Sequence, residues 1–258
     1  MDVRSGEESG KTTMKNKLLE KTFQVLEAIS ASDGPVTLKE LGQKLAINTS
    51  TLSRITADLV EAGYVFKADY RSFEPALGMI RLGQNAAYSS HLPRVVNPMV
   101  KAHVERLGVQ GAFAGIENRQ LVYLYRSDAY ATERDYGMPC RVPLYRSNIA
   151  IAILAQRLDG GEILSIFRES IHRNRAEGQD KSDLDEIRTL VEHVQKNGYL
   201  FRREGKERWN ITFPVEYNGD FYGVSFYGDR AEERNFDRLL FECSLLASRL
   251  HSALVRAS

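Results

Sequence analysis

The sequence predicts an α+β protein in two parts: a small helical unit closed by a two-stranded ribbon, then a larger unit built on an antiparallel sheet. Three observations carry that prediction. Between residues 17 and 62, three runs repeat apolar residues every three or four positions, the period of a helix with one buried face. From residue 110 onward the apolar period shortens to two, the mark of strands. Asn218-Gly219 then joins two such strands, WNITFPVEY and DFYGVSFYG, and Asn-Gly is the strongest short hairpin signal. A chain of 258 residues is comfortable for two domains at roughly 100–200 residues each.

The polar stretch 1–16 has no apolar core, so it reads as a disordered lead-in and not as a secretory signal. NKLLEKTFQVLEAISA is the first helix, with Leu19, Phe23, Leu26 and Ile29 or Ser30 as its stripe, and Gly34-Pro35 ends it. TLKELGQKL opens on Thr37 with Glu40 three residues later, a capping-box start, and Leu38, Leu41 and Leu45 form its buried side. The third run turns Leu52, Ile55 and Leu59 inward and stops at Gly63. Tyr64-Val65-Phe66 is strand-like, residues 67–72 make a turn, and Phe73 returns. Helix, helix, short turn, helix and ribbon, in that order, make a winged helix-turn-helix over residues 17–75.

Residues 76–92 read as a further helix with Leu77, Ile80 and Ala87 on one side, broken by Pro93. Residues 93–258 form the second unit. It starts with a helix over 94–108, kinked at Pro98, and a hairpin of QGAFAGIE and QLVYLYRS about Asn118-Arg119. RSNIAIAILAQRL is an apolar helix stopped by Asp159-Gly160-Gly161, and EILSIFRES is a short one. A helix capped near Ser182 runs to Lys196 and ends at Asn197-Gly198. YLFRRE adds a strand, and a long helix over 232–255 closes the chain.

Bulk composition narrows the function classes. At 43% hydrophobic and 27% charged the chain is ordinary for a globular protein, and no run approaches the roughly 18 apolar residues of a membrane span. Cys140 and Cys243 form no CxxC pair, which removes a zinc ribbon or disulfide framework and suits a reducing cytoplasm. The net charge is +1, and in residues 1–90 eleven basic side chains meet eleven acidic ones. Any contact with nucleic acid therefore comes from a local patch and not from a global field.

That patch is the outer face of the third helix. With Leu52, Ile55 and Leu59 inward, Ser50, Ser53, Arg54 and Ala57 face out, and Thr49 and Thr51 flank them at the N-terminal end. Ser and Thr are mediocre helix formers, so helix stability does not ask for them. Small hydroxyls allow close approach to base edges and phosphates, and Arg can hold guanine with two prongs. The N-terminal part of the second helix of a helix-turn-helix enters the major groove, and the hydroxyls cluster at that end. Thr37 at the mouth of the preceding helix, with Lys39 beside it, is placed to meet a phosphate. Lys67 and Arg71 in the wing are candidates for flanking phosphates or the minor groove.

The run LLEKTFQVLEAIS…VTLKELGQKLAINTSTLSRITADLVEAGYV, followed by FEPALGMIRLG, resembles the DNA-binding domain of IclR-type bacterial transcription regulators, with Ser50-Thr51 and Arg54 on that family's Ser-Thr-x-x-Arg signature. VPLYRSNIAIAILA and FPVEYNGDFYGVSFYG resemble segments of its second half, so the likeness spans residues 17–255. The resemblance implies a linker and dimerisation helix over 76–92 and a GAF-like effector-binding domain with an antiparallel sheet over 93–258. It implies a homodimer or tetramer on a double-stranded operator. It carries effector contacts onto Ala131, Arg134, Asn148, Ile149, Arg202, Asn210, Ser225 and Tyr227, beside the helix that starts near Ser147. Ala150, Arg202, Arg203, Trp209 and Asn210 depart from the family's usual residues there.

The chemistry at these positions points to an acid. Arg126, Arg134, Arg141, Arg146, Arg202 and Arg203 crowd one expected cleft, and Arg grips carboxylates bidentately. Asn148, Asn210, Ser225 and Tyr227 offer hydrogen bonds, and Trp209 offers a stacking face for an aromatic ligand. No GxxxxGK[ST], HExxH or GxSxG motif occurs, and His91, His103, His172, His193 and His251 lack metal-ligand spacing, so neither a cofactor nor catalysis is expected. Nothing local activates Cys140, and Cys243 reads as core. The rival reading is a small-molecule binder or enzyme whose winged domain serves protein contacts.

Overall fold

The computed structural model describes residues 16–127, 143–174, 180–204, 208–229 and 236–256. The chain divides into two compact units, residues 1–86 and 87–258.

In the first unit, α1 (Lys17–Ser30), α2 (Leu38–Leu45) and α3 (Thr49–Glu61) enclose a core of Val25, Ile29, Leu41, Leu52, Ile55, Leu59 and Phe73. Each helix start is chemically marked. Asn16 accepts from the Leu18 and Leu19 amides, Thr37 and Glu40 form a reciprocal capping box, and Asn48 accepts from the Thr51 amide at 2.8 Å. Gly63 leaves α3 at φ 76°, a left-handed conformation that glycine adopts without a Cβ penalty.

Three details differ from the sequence reading. The buried stripe of α1 is Val25, Ala28 and Ile29; Leu19 and Phe23 are exposed, because the helix is rotated to set Val25 and Ile29 on α2 and α3. The ribbon is three-stranded. β1 (Val36–Thr37) pairs with β3 (Ser72–Pro75), which pairs with β2 (Val65–Lys67), all antiparallel. β1 is two residues long, too short to show a period. Thr56 is fully buried on α3, its hydroxyl donated to the Leu52 carbonyl at 2.9 Å, which satisfies a polar group in an apolar site.

α4 (Leu77–Ser89) has no buried residue, and Leu77, Ile80, Leu82 and Tyr88 are all exposed. Pro93 does not break it. The break falls at Ser90, and Pro93 lies in the first turn of α5 (His91–Leu107), where its missing N–H would lack a helical partner anyway.

The second unit is a five-stranded antiparallel sheet. In sequence its strands are β4 (Gln110–Glu117), β5 (Gln120–Arg126), β6 (Leu200–Glu204), β7 (Arg208–Tyr217) and β8 (Asp220–Asp229); in space the order is β5-β4-β8-β7-β6. Both two-residue turns have positive φ at each centre: Asn118 47° and Arg119 59°, Asn218 53° and Gly219 76°. Such turns match the twist of hairpin strands. One face carries α5 and α9 (Phe236–Arg256) over Trp209, Ile211, Phe213, Val224 and Phe226. The other carries α6 (Asn148–Arg157), α7 (Gly160–Asn174) and α8 (Asp180–Asn197). Gly160-Gly161 is a start where the sequence suggested only a stop: Asp159 accepts from the Gly161 and Glu162 amides and caps α7. Cys243 is buried in α9, and burial pushes its thiol up to about 12, so it is inert core. Cys140 lies outside the described residues. Among the described residues no helix is long and apolar enough to cross a membrane.

Candidate functional site

Two surfaces gather the residues singled out from sequence. The first is α3. Thr49, Ser50, Ser53 and Arg54 are exposed, Thr51 is half-buried, and Leu52, Ile55 and Leu59 are turned inside. The amphipathic pattern therefore leaves a small-residue face with one guanidinium, on a helix whose core side holds its orientation. Ser50 donates to Asn48 Oδ1 at 2.9 Å, so the side chain that caps the helix also orients the first hydroxyl of the face. Lys39 on α2 and Lys67 and Arg71 in the wing are exposed as well.

Asp69 shapes the wing tip. It accepts from the Arg71 and Ser72 amides and from the Ser72 hydroxyl, at 2.6, 2.9 and 2.6 Å. The Ser72 hydroxyl, followed by the Arg71 amide, holds its carboxyl below the usual range. The guanidinium of Arg71 stands over the exposed Tyr70 ring, 4.6 Å from its centroid.

Thr37 works within the cap of α2. Its hydroxyl donates to Glu40 Oε2 at 2.8 Å and accepts from the Glu40 amide at 3.3 Å. The backbone and hydroxyl of Thr37 hold the Glu40 carboxyl below its usual range. A carboxylate therefore stands at this helix N-terminus, beside the hydroxyl expected to meet a phosphate.

The second surface is a cavity of about 220 Å³ between the first turn of α6 and the sheet. Ser147, Asn148 and Ile149 border it from the helix; Ala112, Ser225, Tyr227, Asn210 and Trp209 border it from the strands. Tyr123, Arg126, Arg146 and Arg208 also border it, so among the described residues the lining contains three guanidinium groups and no carboxylate. Ser147 caps α6 by accepting from the Ala150 amide at 3.2 Å, so the positive end of the helix dipole points at the same space.

The strand register explains the floor. Asn210 pairs with Tyr227, Thr212 with Ser225, and Ser225 with Ala112, which sets these residues side by side on the α6 face. Asn210 Oδ1 accepts from the Thr212 and Ser225 hydroxyls at 2.8 and 2.9 Å. The Thr212 and Ser225 hydroxyls also lie 2.9 Å apart, so the three side chains form one buried polar cluster beneath the cavity.

Two expected contacts do not reach this space as foreseen. Arg202 lies opposite Asn210 in the sheet, but its guanidinium turns to Glu186 on α8 at 2.7 Å, and it is not part of the lining. Trp209 borders the cavity, yet it is fully buried in the core on the α5 and α9 side, and its indole N–H donates to the Asp229 carbonyl at 2.9 Å. Its ring is therefore no stacking platform. Ala131, Arg134 and Arg141 lie outside the described residues. Arg126 and Arg146, grouped with the cleft from sequence, do line it. Arg208 escaped sequence reading. The signal was present: at a period of two, residue 208 shares a face with Asn210 and Thr212.

Residues 18–68 match the IclR helix-turn-helix domain. Comparison with curated protein sequences finds no match. Among solved structures, an IclR-family transcriptional regulator from Brucella abortus is similar over 94% of this chain and 93% of its own, at 17% identity and a TM-score of 0.72. An IclR transcriptional regulator from Alicyclobacillus acidocaldarius aligns over 93% and 99%, at 15% identity and a TM-score of 0.67. An IclR homologue from Microbacterium hydrocarbonoxydans, solved in complex with 4-hydroxybenzoate, aligns over 94% and 100%, at 19% identity and a TM-score of 0.64. The chain thus carries an IclR helix-turn-helix domain and has the α+β two-domain fold of IclR-family DNA-binding transcriptional regulators.

Proposed function

From an IclR helix-turn-helix domain joined to that family's regulator fold, we propose a transcriptional regulator that reads an operator with α3 and responds to a small carboxylate held at the N-terminus of α6. One observation carries the ligand class. Among the described residues the cavity gathers three arginines, an asparagine amide and a capped helix N-terminus, and no acidic side chain. Every charged group and the dipole of that wall favour an anion, and the planar fork of Arg suits a carboxylate. A cavity of about 150 Å³ already accepts a benzene ring, so this one has room for a ring bearing a carboxylate. The 4-hydroxybenzoate bound by the Microbacterium homologue is a ligand of that kind and supports the same class here.

On the DNA side, Ser50, Ser53 and Arg54 are read as base or phosphate contacts from the groove, flanked by Thr49 and Thr51. Lys39, Lys67 and Arg71 serve phosphates or the minor groove around it. The active form is a homodimer or tetramer in the cytoplasm, its two winged domains meeting half-sites about one helical turn apart, roughly 34 Å. An effector can shift DNA affinity only as far as its own affinities for the two states differ.

Calorimetry with benzoate against benzamide tests the ligand class, since the two share a ring and differ in charge. Benzoate should bind and benzamide should not; preference for the amide removes the carboxylate reading. Operator titrations at stepped salt test the DNA role. Affinity should fall linearly in log salt, whereas a winged domain serving protein contacts would show no duplex binding.

A further inference from the structure

Along β8, Gly223, Ser225 and Tyr227 alternate onto one face of the sheet. Ser225 and Tyr227 line the cavity, and Gly223 lies under the first turn of α6. Glycine in mid-strand, paired here with Ala114 and Pro214, weakens a sheet unless a bulge or a close approach needs it. No positive φ calls for it at this position. The close approach does. A Cβ built on Gly223 stands 2.7 Å from Ile149 Cγ2, 3.4 Å from its Cβ and 3.5 Å from its Cα. Ile149 is buried and itself lines the cavity.

Two features prevent a cheap escape. A β-branched side chain in a helix has one strongly preferred χ1, so Cγ2 cannot turn aside freely. The far end of α6 is held to the start of β8, where Arg157 donates to the Phe221 carbonyl at 2.8 Å and pairs with Asp220. An added methyl group would therefore lift the first turn of α6, and that turn is the wall opposite Ser225 and Tyr227.

We propose that Gly223 sets the depth of the cavity and so the size of ligand it admits. It is a positioning residue that acts through Ile149 and touches no ligand itself. The inference rests on reading the cavity as the effector site.

The test uses the full chain and four probes: benzoate, 2-naphthoate and their amides. In Gly223→Ala the affinity ratio of 2-naphthoate to benzoate should rise about tenfold, the scale of a small volume change in an apolar pocket. Gly223→Ala/Ile149→Leu should return the ratio to the wild-type value, because Leu has no Cγ2, and a purely structural role would give no such rescue. An unchanged ratio in folded Gly223→Ala, or a rise that Ile149→Leu does not reverse, overturns the proposal. If only the amides bind and their ratio follows the same pattern, the depth role stands and the carboxylate reading falls. Binding of none of the four by wild-type protein overturns both. Should Gly223→Ala not fold, Ile149→Ala opens the same wall; it must raise the ratio, and a constant one refutes the inference.

Discussion

Two capped helices, α3 and α6, do opposite things with their N-termini. Asn48 caps α3, whose first turn stands in solvent with Thr49, Ser50 and Ser53 exposed. Ser147 caps α6, whose first turn is closed in, with Asn148 and Ile149 buried. An exposed N-terminus on an amphipathic helix suits a large polyanion that arrives from outside. An enclosed one, roofing a cavity edged by arginines, suits a small anion that must be desolvated to enter. The difference shows that a cap alone names no ligand; the accessibility of the turn behind it decides what can reach it.

The strongest way to break the comparison is to remove what holds α3. Leu52 is fully buried, so Leu52→Ala should destabilise the winged unit by about 3 kcal/mol through lost burial and the cavity left behind. Urea unfolding followed by circular dichroism measures this, and a loss under about 1 kcal/mol would mean that the helix is not anchored as described. Arg54→Ala on the exposed side should leave that curve unchanged while weakening operator binding by about 1–3 kcal/mol in a gel-shift titration. Unchanged operator affinity would take Arg54 out of the reading face. Arg146→Ala sharpens the other half. Loss of one charged hydrogen-bonding partner should weaken benzoate binding about tenfold, with little effect on an amide. Equal losses for both probes would mean that Arg146 shapes the cavity without selecting charge.

The same contrast governs what the sequence made legible. α3 is half in water, so its period and its outer residues could be read from spacing. α6 is apolar almost throughout and buried on every side, which makes its helix plain and its orientation invisible. Hairpins at Asn118-Arg119 and Asn218-Gly219 were readable because a two-residue turn needs positive φ. The face of α1 was not, since Leu18, Leu19 and Phe23 continue an apolar run that the core does not use. Arginine count suggested an acid site, but the direction of a long side chain depends on neighbours from distant segments. Arg202 follows Glu186 out of the cavity, while Arg208 enters it from the start of β7.

The smallest expected effect lies on the sheet face away from the cavity, where a buried titratable group has no ligand to serve. His103 of α5 is buried, packs on Phe226 at 5.6 Å and has Arg106 Nη2 at 3.2 Å from its Nδ1. Burial, then the positive charge of Arg106, holds its pKa below the ordinary value, with Arg249 acting the same way and Glu242 opposing. The unfolded chain therefore takes up this proton more readily than the folded one. The neutral imidazole costs nothing above the unfolded value, and stability declines as pH falls below about 6.5. Glu242, held below its usual range chiefly by its hydrogen bond from Arg106, adds its own loss only nearer pH 4.5. Between pH 7.5 and 5.5 the histidine acts without the glutamate, so His103→Gln should flatten the fall of the melting midpoint across that window. An undiminished fall in the variant would assign the acid sensitivity to other groups and leave His103 as packing alone.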